Sequence, residues 1–252
     1  MNSYSRYVRK YKPYDHKSKN RRTLFLFFLV ILLVFLFFQI SDNFFLASYS
    51  MGNKSMEPSI TEGDILLTTP ILYGPFIPLT EKRFRDIRQP QRGDIVIARP
   101  GYYKKPPGYI NAADKLVRFF TLQKISIVSS FYYPRIQDKA VKRVLGIPGD
   151  TIKMDNYVIY IKPSDRNYFF HEYELTEREY TVNTKEPSDS WPKEFPFSSY
   201  FSEIRLKEDE YFLIGDNRPG SLDSRHWGIV SGQNIIAKAI LRYWPFQKFQ
   251  IP

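Results

Sequence analysis

The fold is decided by the stretch VKRVLGIPGDTIKMDNYVIYI, which covers residues 141–161. In its first part, apolar residues surround a Lys-Arg pair, as on a buried strand. The Gly-Asp pair at 149–150 then marks a turn, and a second turn at Asp155-Asn156 separates two runs rich in β-branched residues. The stretch therefore predicts a strand followed by a β-hairpin over residues 151–161.

The rest of the chain carries the same kind of signal. Short β-branched or apolar runs, some of them entered through Gly-Asp turns, predict further strands at residues 65–69, 95–98, 211–214 and 236–243. No long helices alternate with these runs. The sequence therefore predicts a mainly β fold with an antiparallel sheet.

Two segments depart from this pattern. Residues 113–128 place apolar residues at helical spacing beside Lys115, Arg118 and Lys124, which predicts a basic amphipathic helix. Such a helix can pack on the sheet or lie on a membrane surface, and packing on the sheet is the preferred interpretation. Residues 162–205 are polar and aromatic with few strand signals, and we interpret them as a less regular insertion.

The composition fits a folded protein and limits its chemistry. Of the 252 residues, 43% are hydrophobic and 17% are aromatic, which is enough for a packed core. The absence of cysteine excludes a thiol nucleophile, a disulfide framework and a thiolate metal site. The three histidines, His16, His171 and His226, are too scattered to predict a zinc motif. We therefore expect neither a metal nor another cofactor.

An apolar run near the N-terminus predicts a membrane anchor. Residues 24–40 are apolar apart from Gln39, and these 17 residues are at the short end of the length that spans a bilayer. The run is Phe-rich and is followed by polar residues and more aromatics, which favours a retained helix over a cleavable signal peptide. The chain thus divides into a basic arm at 1–22, an anchor at 23–41 and a β-rich body at 42–252.

The charge distribution orients this anchor. The first 22 residues hold eight lysines and arginines against Asp15 alone, so they carry +7 of the net charge of +11. By the positive-inside rule the arm lies in the cytoplasm and the body outside it, which predicts a single-pass protein of the cell (inner) membrane. Attraction to anionic lipid headgroups explains the cations more simply than binding of nucleic acid does. The arm lies directly before the anchor and contains no recognisable nucleic-acid-binding module.

Three short motifs in the body carry the chemistry. Without cysteine, and without a histidine in a recognisable arrangement with a serine, a Ser-Lys pair is the remaining choice for a metal-free hydrolase. SMEPSI at 55–60 follows the anchor and is continued by GDIL at 63–66. KRVLGIPGD occupies 142–150, and GDNRPGSLDSRHWG occupies 215–228. In sequence and order these motifs resemble the boxes of the type I signal peptidase family.

This resemblance implies a serine endopeptidase in which Ser55 is the nucleophile and Lys142 the general base. It also implies supporting roles for residues of the second and third motifs. Ser221 is expected to orient the Lys142 amine by a hydrogen bond. The expected structural ion pairs are Arg143 with Asp216 and Asp223 with Arg225. By position beside the motifs, the candidates to line a pocket for small substrate side chains are Met56, Ile60 and Val141.

The proposed chemistry sets a physical demand on Lys142. An unperturbed lysine has a pKa of about 10.4, whereas a base near neutral pH needs about 7 to 8, which requires burial. Val141, Val144 and Leu145 supply apolar surroundings. On a strand, alternation places Lys142 and Val144 on one face and Arg143 on the other, so that Arg143 is free to pair with a carboxylate.

Several positions depart from the family pattern. Asn53 stands two positions before the nucleophile, where the family often has a serine that helps to bind the oxyanion, and an asparagine amide can also donate there. Lys54 replaces a small or acidic residue, and Pro219-Gly220 alters the turn of the third motif. For His226, which falls at a variable position, we predict a structural role.

The resemblance implies removal of signal peptides from secreted preproteins. The implied partners are preproteins and membrane lipid, with the secretion machinery as a further candidate and no nucleic acid. Two alternatives stay open. One is a related Ser-Lys peptidase with a different role, such as maturation of a conjugation protein or processing of a narrow set of substrates, and the other is an anchored binding protein of the same fold. The intact Ser55, Lys142 and Ser221 argue against the second alternative.

Overall fold

The structure is a computed structural model that describes residues 16–75, 83–103, 106–121, 125–131, 138–176, 179–184 and 199–252. The chain forms two compact units, the first ending at Ile40 and the second running from Ser41 to Pro252. Most of the basic arm predicted at 1–22 lies outside the described residues.

The first unit is a long apolar helix. Helix α1, His16–Ile40, continues into a π-helical turn, Ser41–Phe45. The segment Asn20–Phe45 is the one helix of the described residues that is long and apolar enough to cross a membrane. Large side chains along it are exposed, for example Phe25 at 67% and Phe37 at 75%. Exposure of this kind fits a helix whose surroundings are lipid.

Antiparallel strands dominate the second unit. They are β1 Ala47–Ser50, β2 Ile65–Thr69, β3 Ile95–Ala98, β4 Ala140–Gly146, β5 Thr151–Asp155, β6 Val158–Lys162, β7 Phe170–His171, β8 Phe201–Arg205, β9 Glu210–Ile214, β10 Val230–Ser231 and β11 Ile235–Trp244. Seven form a sheet in the order β1-β2-β11-β3-β4-β9-β10, and four form a smaller sheet in the order β7-β6-β5-β8. Every ladder between these strands is antiparallel, which confirms the predicted fold class.

The stretch at 141–161 forms the elements that its residues predict. β4 is buried along its whole length, and β5 and β6 form a hairpin whose register pairs Asp155 with Val158. Asn156 and Tyr157 make the two-residue turn with φ of 50° and 64°, a region that asparagine adopts more readily than most residues. The four other predicted strands correspond to β2, β3, β9 and β11, and their predicted bounds agree with the observed ones to within one residue.

The larger sheet curls so that its first strand, β1, contacts the residue just before β4. Tyr49 on β1 donates its hydroxyl proton to the carbonyl of Lys139 at 3.1 Å, although three strands separate β1 from β4 in the sheet. Register shifts of β11 against both β2 and β3 add bend and twist. The curl brings β1 next to β4, the strand that carries Lys142.

The helix predicted at 113–128 has the wrong bounds. Helix α2, Gly108–Phe120, begins five residues earlier and ends earlier too, and a short helix α3, Ile127–Phe131, packs against it. One continuous helix does not form because the Asp114 carboxylate accepts a hydrogen bond from the backbone N–H of Val128 at 3.1 Å, which holds the chain folded back on itself.

Residues 162–205, interpreted as a less regular insertion, contribute more regular structure than the sequence suggests. β7 pairs with β6 and β8 pairs with β5, so both ends of this segment extend the hairpin into a four-stranded sheet. Residues 185–198 lie outside the described part of the chain. The residues at 180–183 lie against the second and third motifs, where they bear on the site described next.

Candidate active site

The first motif lies in a loop between β1 and β2 whose ends are held together. Met51 N donates to the carbonyl of Asp64 at 2.8 Å. The Asp64 carboxylate accepts a hydrogen bond from Thr61 N at 2.9 Å and pairs with Nη1 of the buried Arg242 at 3.0 Å. These contacts close the loop and hold Ser55 in a buried position, 4% exposed.

The three residues predicted to line a substrate pocket meet in one place. Met56, Ile60 and Val141 belong to a single core cluster that also contains Leu66 and Ile97. Each of the three is at most 2% exposed. Since Met56 follows Ser55 and Val141 precedes Lys142, the cluster lies beside the candidate catalytic pair, covered by protein in this state.

Lys142 reaches Ser55 from β4. A hydrogen bond of 2.7 Å joins Lys142 Nζ to Ser55 Oγ, and Lys142 is only 2% exposed. Burial lowers the pKa of Lys142 from 10.5 to about 8; the Asp223 carboxylate opposes this shift and the Arg225 guanidinium adds to it. A useful fraction of Lys142 is therefore neutral near pH 8 and able to accept a proton from the serine hydroxyl.

Arg143 forms a buried ion pair on the other side of β4. Its Nε and Nη2 lie 2.9 and 2.6 Å from Oδ1 and Oδ2 of Asp216, and both side chains are at most 5% exposed. The ring of Tyr180 covers the guanidinium, with 4.0 Å between Arg143 Cζ and the ring centroid. This pair fastens β4 to the third motif.

A second ion pair lies within the third motif. Arg225 Nε and Nη2 each lie 2.8 Å from an oxygen of Asp223, which also accepts a hydrogen bond from Gly215 N at 3.0 Å. Burial by itself would raise the pKa of Asp223, but the Arg225 guanidinium and the hydrogen bonds lower it to about 2. Asp223 is therefore charged at every pH at which Lys142 titrates.

Ser221 is buried in the third motif without the hydrogen bond predicted for it. Its Oγ has no hydrogen-bond partner among the described residues, because the Lys142 amine is directed to Ser55 Oγ instead. The expectation that Ser221 holds the Lys142 amine is thus not met in this state. A Cβ on Gly215 would collide with Ser221 Oγ and with the Ser55 carbonyl, so only glycine lets these groups pack so closely.

Asn53 contacts the nucleophile in a way that the sequence does not predict. Its side-chain oxygen Oδ1 accepts a hydrogen bond from the backbone N–H of Ser55 at 3.0 Å. The atom facing that N–H is the oxygen, because the NH2 end of an amide cannot accept. In this state Asn53 therefore offers no donor to an oxyanion through Oδ1. Instead, Oδ1 occupies the Ser55 N–H, the backbone donor that an oxyanion would use.

Asn217, which the sequence interpretation passed over, ties the nucleophile loop to the third motif. Its Nδ2 donates to the carbonyl of Lys54 at 3.0 Å, and its backbone N donates to the carbonyl of Ser55 at 3.1 Å. The Lys54 side chain is exposed, so it does not join Lys142 inside the site.

A buried polar network behind the third motif also escaped prediction. Arg218 pairs with Glu172, both at most 1% exposed, and Tyr180 donates its hydroxyl proton to Glu172 Oε2 at 2.6 Å. Asn183 N donates to the carbonyl of Asp216 at 2.8 Å, and Arg218 N donates to the carbonyl of Asn183 at 2.9 Å. Arg218 lies in the third motif, but no local pattern identifies Glu172, which is far away in sequence, as its partner.

His226 belongs to a helix cap. Its Nδ1 accepts a weak hydrogen bond from Asp223 N at 3.4 Å at the start of helix α4, Ser224–Trp227. Burial lowers the pKa of His226. The altered turn at Pro219-Gly220 lies in a short 3₁₀ segment, Arg218–Gly220. The described residues hold no group of three or more His, Asp or Glu side chains suited to a metal ion.

The Ser55 hydroxyl is hydrogen-bonded to a buried lysine whose pKa is lowered, and a Ser-Lys hydrolase requires such a pair. A family model described as "Signal peptidase, peptidase S26" matches residues 21–244. The chain therefore belongs to the signal peptidase family, peptidase S26, a family of serine endopeptidases.

The chain is similar to named members of this family. It is 25% identical to signal peptidase I of Buchnera aphidicola subsp. Schizaphis graminum, in an alignment that covers 82% of this chain and 70% of that protein. It is 30% identical over 131 residues to signal peptidase IB of Staphylococcus aureus strain Mu50, which covers 51% of this chain and 64% of that protein. A crystal structure of a signal peptidase I from Enterococcus faecalis V583 matches with 20% identity and a TM-score of 0.31, covering 60% of this chain and 97% of that chain.

Proposed function

We propose that this chain is a membrane-anchored serine endopeptidase that removes signal peptides from secreted preproteins. Its family and the names of its relatives support this class of substrate. The observation that carries the proposal is the hydrogen bond of 2.7 Å between Lys142 Nζ and Ser55 Oγ in a buried site.

In the proposed mechanism Ser55 is the nucleophile and Lys142 the general base. Neutral Lys142 takes the proton of Ser55 Oγ as that oxygen attacks the carbonyl carbon of the scissile peptide bond. The Lys142 ammonium then gives the proton to the leaving nitrogen, the C–N bond breaks, and the signal peptide stays attached to Ser55 as an ester. Lys142 then deprotonates a water molecule, whose oxygen attacks the ester carbonyl. The bond between that carbon and Ser55 Oγ breaks, Lys142 returns the proton to Ser55 Oγ, and the signal peptide leaves with a free carboxylate. While Lys142 is charged, the buried hydroxyl of Ser221 is our candidate to accept a hydrogen bond from it.

β4 offers an extended peptide a place beside Ser55. Residues 140–143 pair with β3 on one side, whereas pairing with β9 on the other side begins only at Arg143. The backbone of residues 140–142 therefore has ladder positions on the β9 side at which a substrate segment can add as a strand. A small side chain before the cleaved bond would then sit against the cluster of Met56, Ile60 and Val141.

Oxyanion binding requires Asn53 to release the Ser55 N–H. We propose that the Asn53 amide rotates when the substrate carbonyl enters, so that Nδ2 and the Ser55 N–H both point to the developing oxyanion. The hydrogen bond of 3.0 Å between Asn53 Oδ1 and Ser55 N places the amide within reach of that position. Rotation about one bond exchanges an acceptor for a donor at little cost in space.

Asn53→Asp is expected to lower kcat by about 10²–10³-fold without unfolding the protein. The carboxylate has the shape of the amide and keeps the hydrogen bond from Ser55 N, but it has no donor to offer and adds negative charge beside the oxyanion. Asn53→Ser is the matched control, because a hydroxyl can both accept and donate, and it should retain most of the activity. Preprotein cleavage and thermal unfolding are measured together. If Asn53→Asp cleaves as fast as the unaltered chain, Asn53 only shapes the turn.

The proposed arrangement in the membrane follows from the anchor and the charges. Residues 1–22 lie in the cytoplasm, residues 23–41 span the cell (inner) membrane once, and residues 42–252 form the extracytoplasmic peptidase domain. Helix α1 and the eight cations among residues 1–22 support this topology. Confinement to one surface raises the effective concentration of membrane-bound preproteins at the site.

The test of the proposed function is cleavage of several different preproteins by the purified full chain in detergent. The expected result is release of mature proteins, each identified by its new N-terminus. Cleavage of a single preprotein would favour a narrow set of substrates, and no cleavage of any would contradict the proposal.

A further inference from the structure

The outer face of helix α2 carries an exposed apolar stripe. Tyr109, Leu116 and Phe120 follow one another at spacings of seven and four residues, which puts them on one face of the helix. They are 74%, 47% and 69% exposed. Ile125 and Phe131, before and at the end of α3, add exposures of 55% and 78%. These five residues are called the α2–α3 stripe below, and apolar patches of this kind often mark interaction sites.

The polar interactions of α2 lie on its inner side. The Asp114 carboxylate, 7% exposed, accepts hydrogen bonds from Arg118 Nε at 2.7 Å, from Ser126 Oγ at 2.8 Å and from Val128 N at 3.1 Å. A surface helix of a soluble protein normally has the opposite arrangement, with charged groups outside and apolar groups inside. The inverted arrangement indicates that the outer face of α2 has an apolar partner.

The strand register places α2 and α3 at the edge of the sheet where the chain arrives from α1. Each strand in the order β1, β2, β11, β3 is antiparallel to the next. The start of β1 at Ala47 and the end of β3 at Ala98 therefore lie at the same edge of the sheet. β4 starts at that edge as well, at Ala140. The chain leaves the sheet there to form α2 and α3. The six residues at 41–46 separate Ala47 from the end of α1, a link of roughly 20 Å at most.

Side-chain contacts keep α2 close to that first strand. Arg118 Nη2 of α2 lies 3.8 Å from Oδ2 of Asp138, in the segment that enters β4. The next residue, Lys139, accepts the hydrogen bond from the Tyr49 hydroxyl of β1 at 3.1 Å. α2 is therefore fixed beside the strand that directly follows the anchor.

We propose that the α2–α3 stripe docks on the bilayer that holds α1, with Tyr109, Leu116 and Phe120 at the boundary between headgroups and acyl chains. Lipid is favoured over a protein partner because the short link keeps this edge of the sheet near the bilayer at all times. The inference rests on the anchoring part of the proposed function and not on the roles of Ser55 and Lys142. Docking would hold the start of β4, and with it the peptide-binding edge at 140–142, against the surface where membrane-bound substrates arrive.

The absence of cysteine makes the chain suited to single-cysteine labelling. Leu116→Cys and Phe120→Cys, prepared separately in the full chain, are labelled with an NBD dye and reconstituted in vesicles of phosphatidylcholine and phosphatidylglycerol. The dye at both positions should be quenched when the lipids carry a doxyl group near the headgroup end of the acyl chain. The matched control is Glu208→Cys, an exposed position just before β9, which the register with β4 places at the opposite edge of the sheet. Its dye should stay unquenched.

A fourth label, at Phe25→Cys in α1, reports whether the anchor is in the bilayer. Quenching at 25 without quenching at 116 and 120 overturns the docking and indicates that another segment or a protein covers the stripe. Equal quenching at 208 overturns it as well, because the contact would not be specific to this edge. An unquenched label at 25 contradicts the anchoring on which the inference rests. Failure of the catalytic proposal shows separately, as absence of preprotein cleavage by the unlabelled chain.

Discussion

Ser55→Ala and Lys142→Met are each expected to reduce preprotein cleavage by on the order of 10⁴-fold or more. Alanine removes the attacking oxygen, and methionine fills the space of lysine but cannot take a proton. Since the two groups act as one unit through their 2.7 Å hydrogen bond, the double variant should be no less active than either single one. The rate of release of mature protein in detergent measures the effect, and near-normal cleavage by either variant would contradict the dyad.

Lys142→Met is expected to lose activity while keeping its fold. Burial keeps the pKa of Lys142 at about 8 in the folded protein against 10.5 ordinarily, so the unfolded chain binds more protons between those pH values. The free-energy cost of burying the Lys142 amine is therefore present in full below about pH 8. This cost falls as the pH rises and is lost by about pH 10.5. At pH 7, Lys142→Met is therefore expected to unfold at a temperature at least as high as the unaltered chain does.

Asp216→Ala is expected to lower the free energy of unfolding by about 3–5 kcal/mol. The substitution leaves the Arg143 guanidinium buried without its carboxylate. The contact with Tyr180, a hydrogen bond of 3.1 Å to the Gly93 carbonyl and a long one of 3.5 Å to Ser59 Oγ would remain, and none of these partners carries a compensating charge. The loss also detaches β4 from the third motif, so cleavage should fall along with stability. Thermal and denaturant unfolding in detergent measure the change.

The matched control is an exposed ion pair in the same domain. Arg166 Nε lies 3.6 Å from Asp165 Oδ2, with side chains 53% and 75% exposed. Arg166→Ala should change the free energy of unfolding by about 1 kcal/mol or less. Replacing both Arg143 and Asp216 by methionine and leucine should restore part of the stability, because no buried charge is then left alone. Equal losses from Asp216→Ala and Arg166→Ala would contradict a structural role for the buried pair.

Much of the fold was predictable because its signals are local. The hairpin at 151–161 depends on turn chemistry at Asp155-Asn156, which four adjacent residues determine. The same holds for the alternation that separates Lys142 from Arg143 on β4. The bounds of α2 were not predictable, since they depend on Asp114 meeting Val128, a contact between residues fourteen positions apart.

The site was predictable only as far as its motifs reach. Ser55 and Lys142 come from the motifs, and the structure brings them together. The partner of Arg218 was not predictable, because Glu172 lies outside every motif and meets Arg218 only in the folded chain, 46 positions away in sequence. The orientation of Asn53 escaped prediction for another reason: one amide holds a donor and an acceptor, and only its surroundings decide which faces Ser55 N.

The most direct test of the Ser55–Lys142 pair is the pH dependence of Ser55 acylation in a single turnover with a preprotein. Because Lys142 must be neutral to act and has a pKa of about 8, the rate should level off above that pH. Below it, the rate should fall by about tenfold per pH unit as Lys142 becomes protonated. An acylation rate that stays constant from about pH 8 down to about pH 5 would contradict a lysine base.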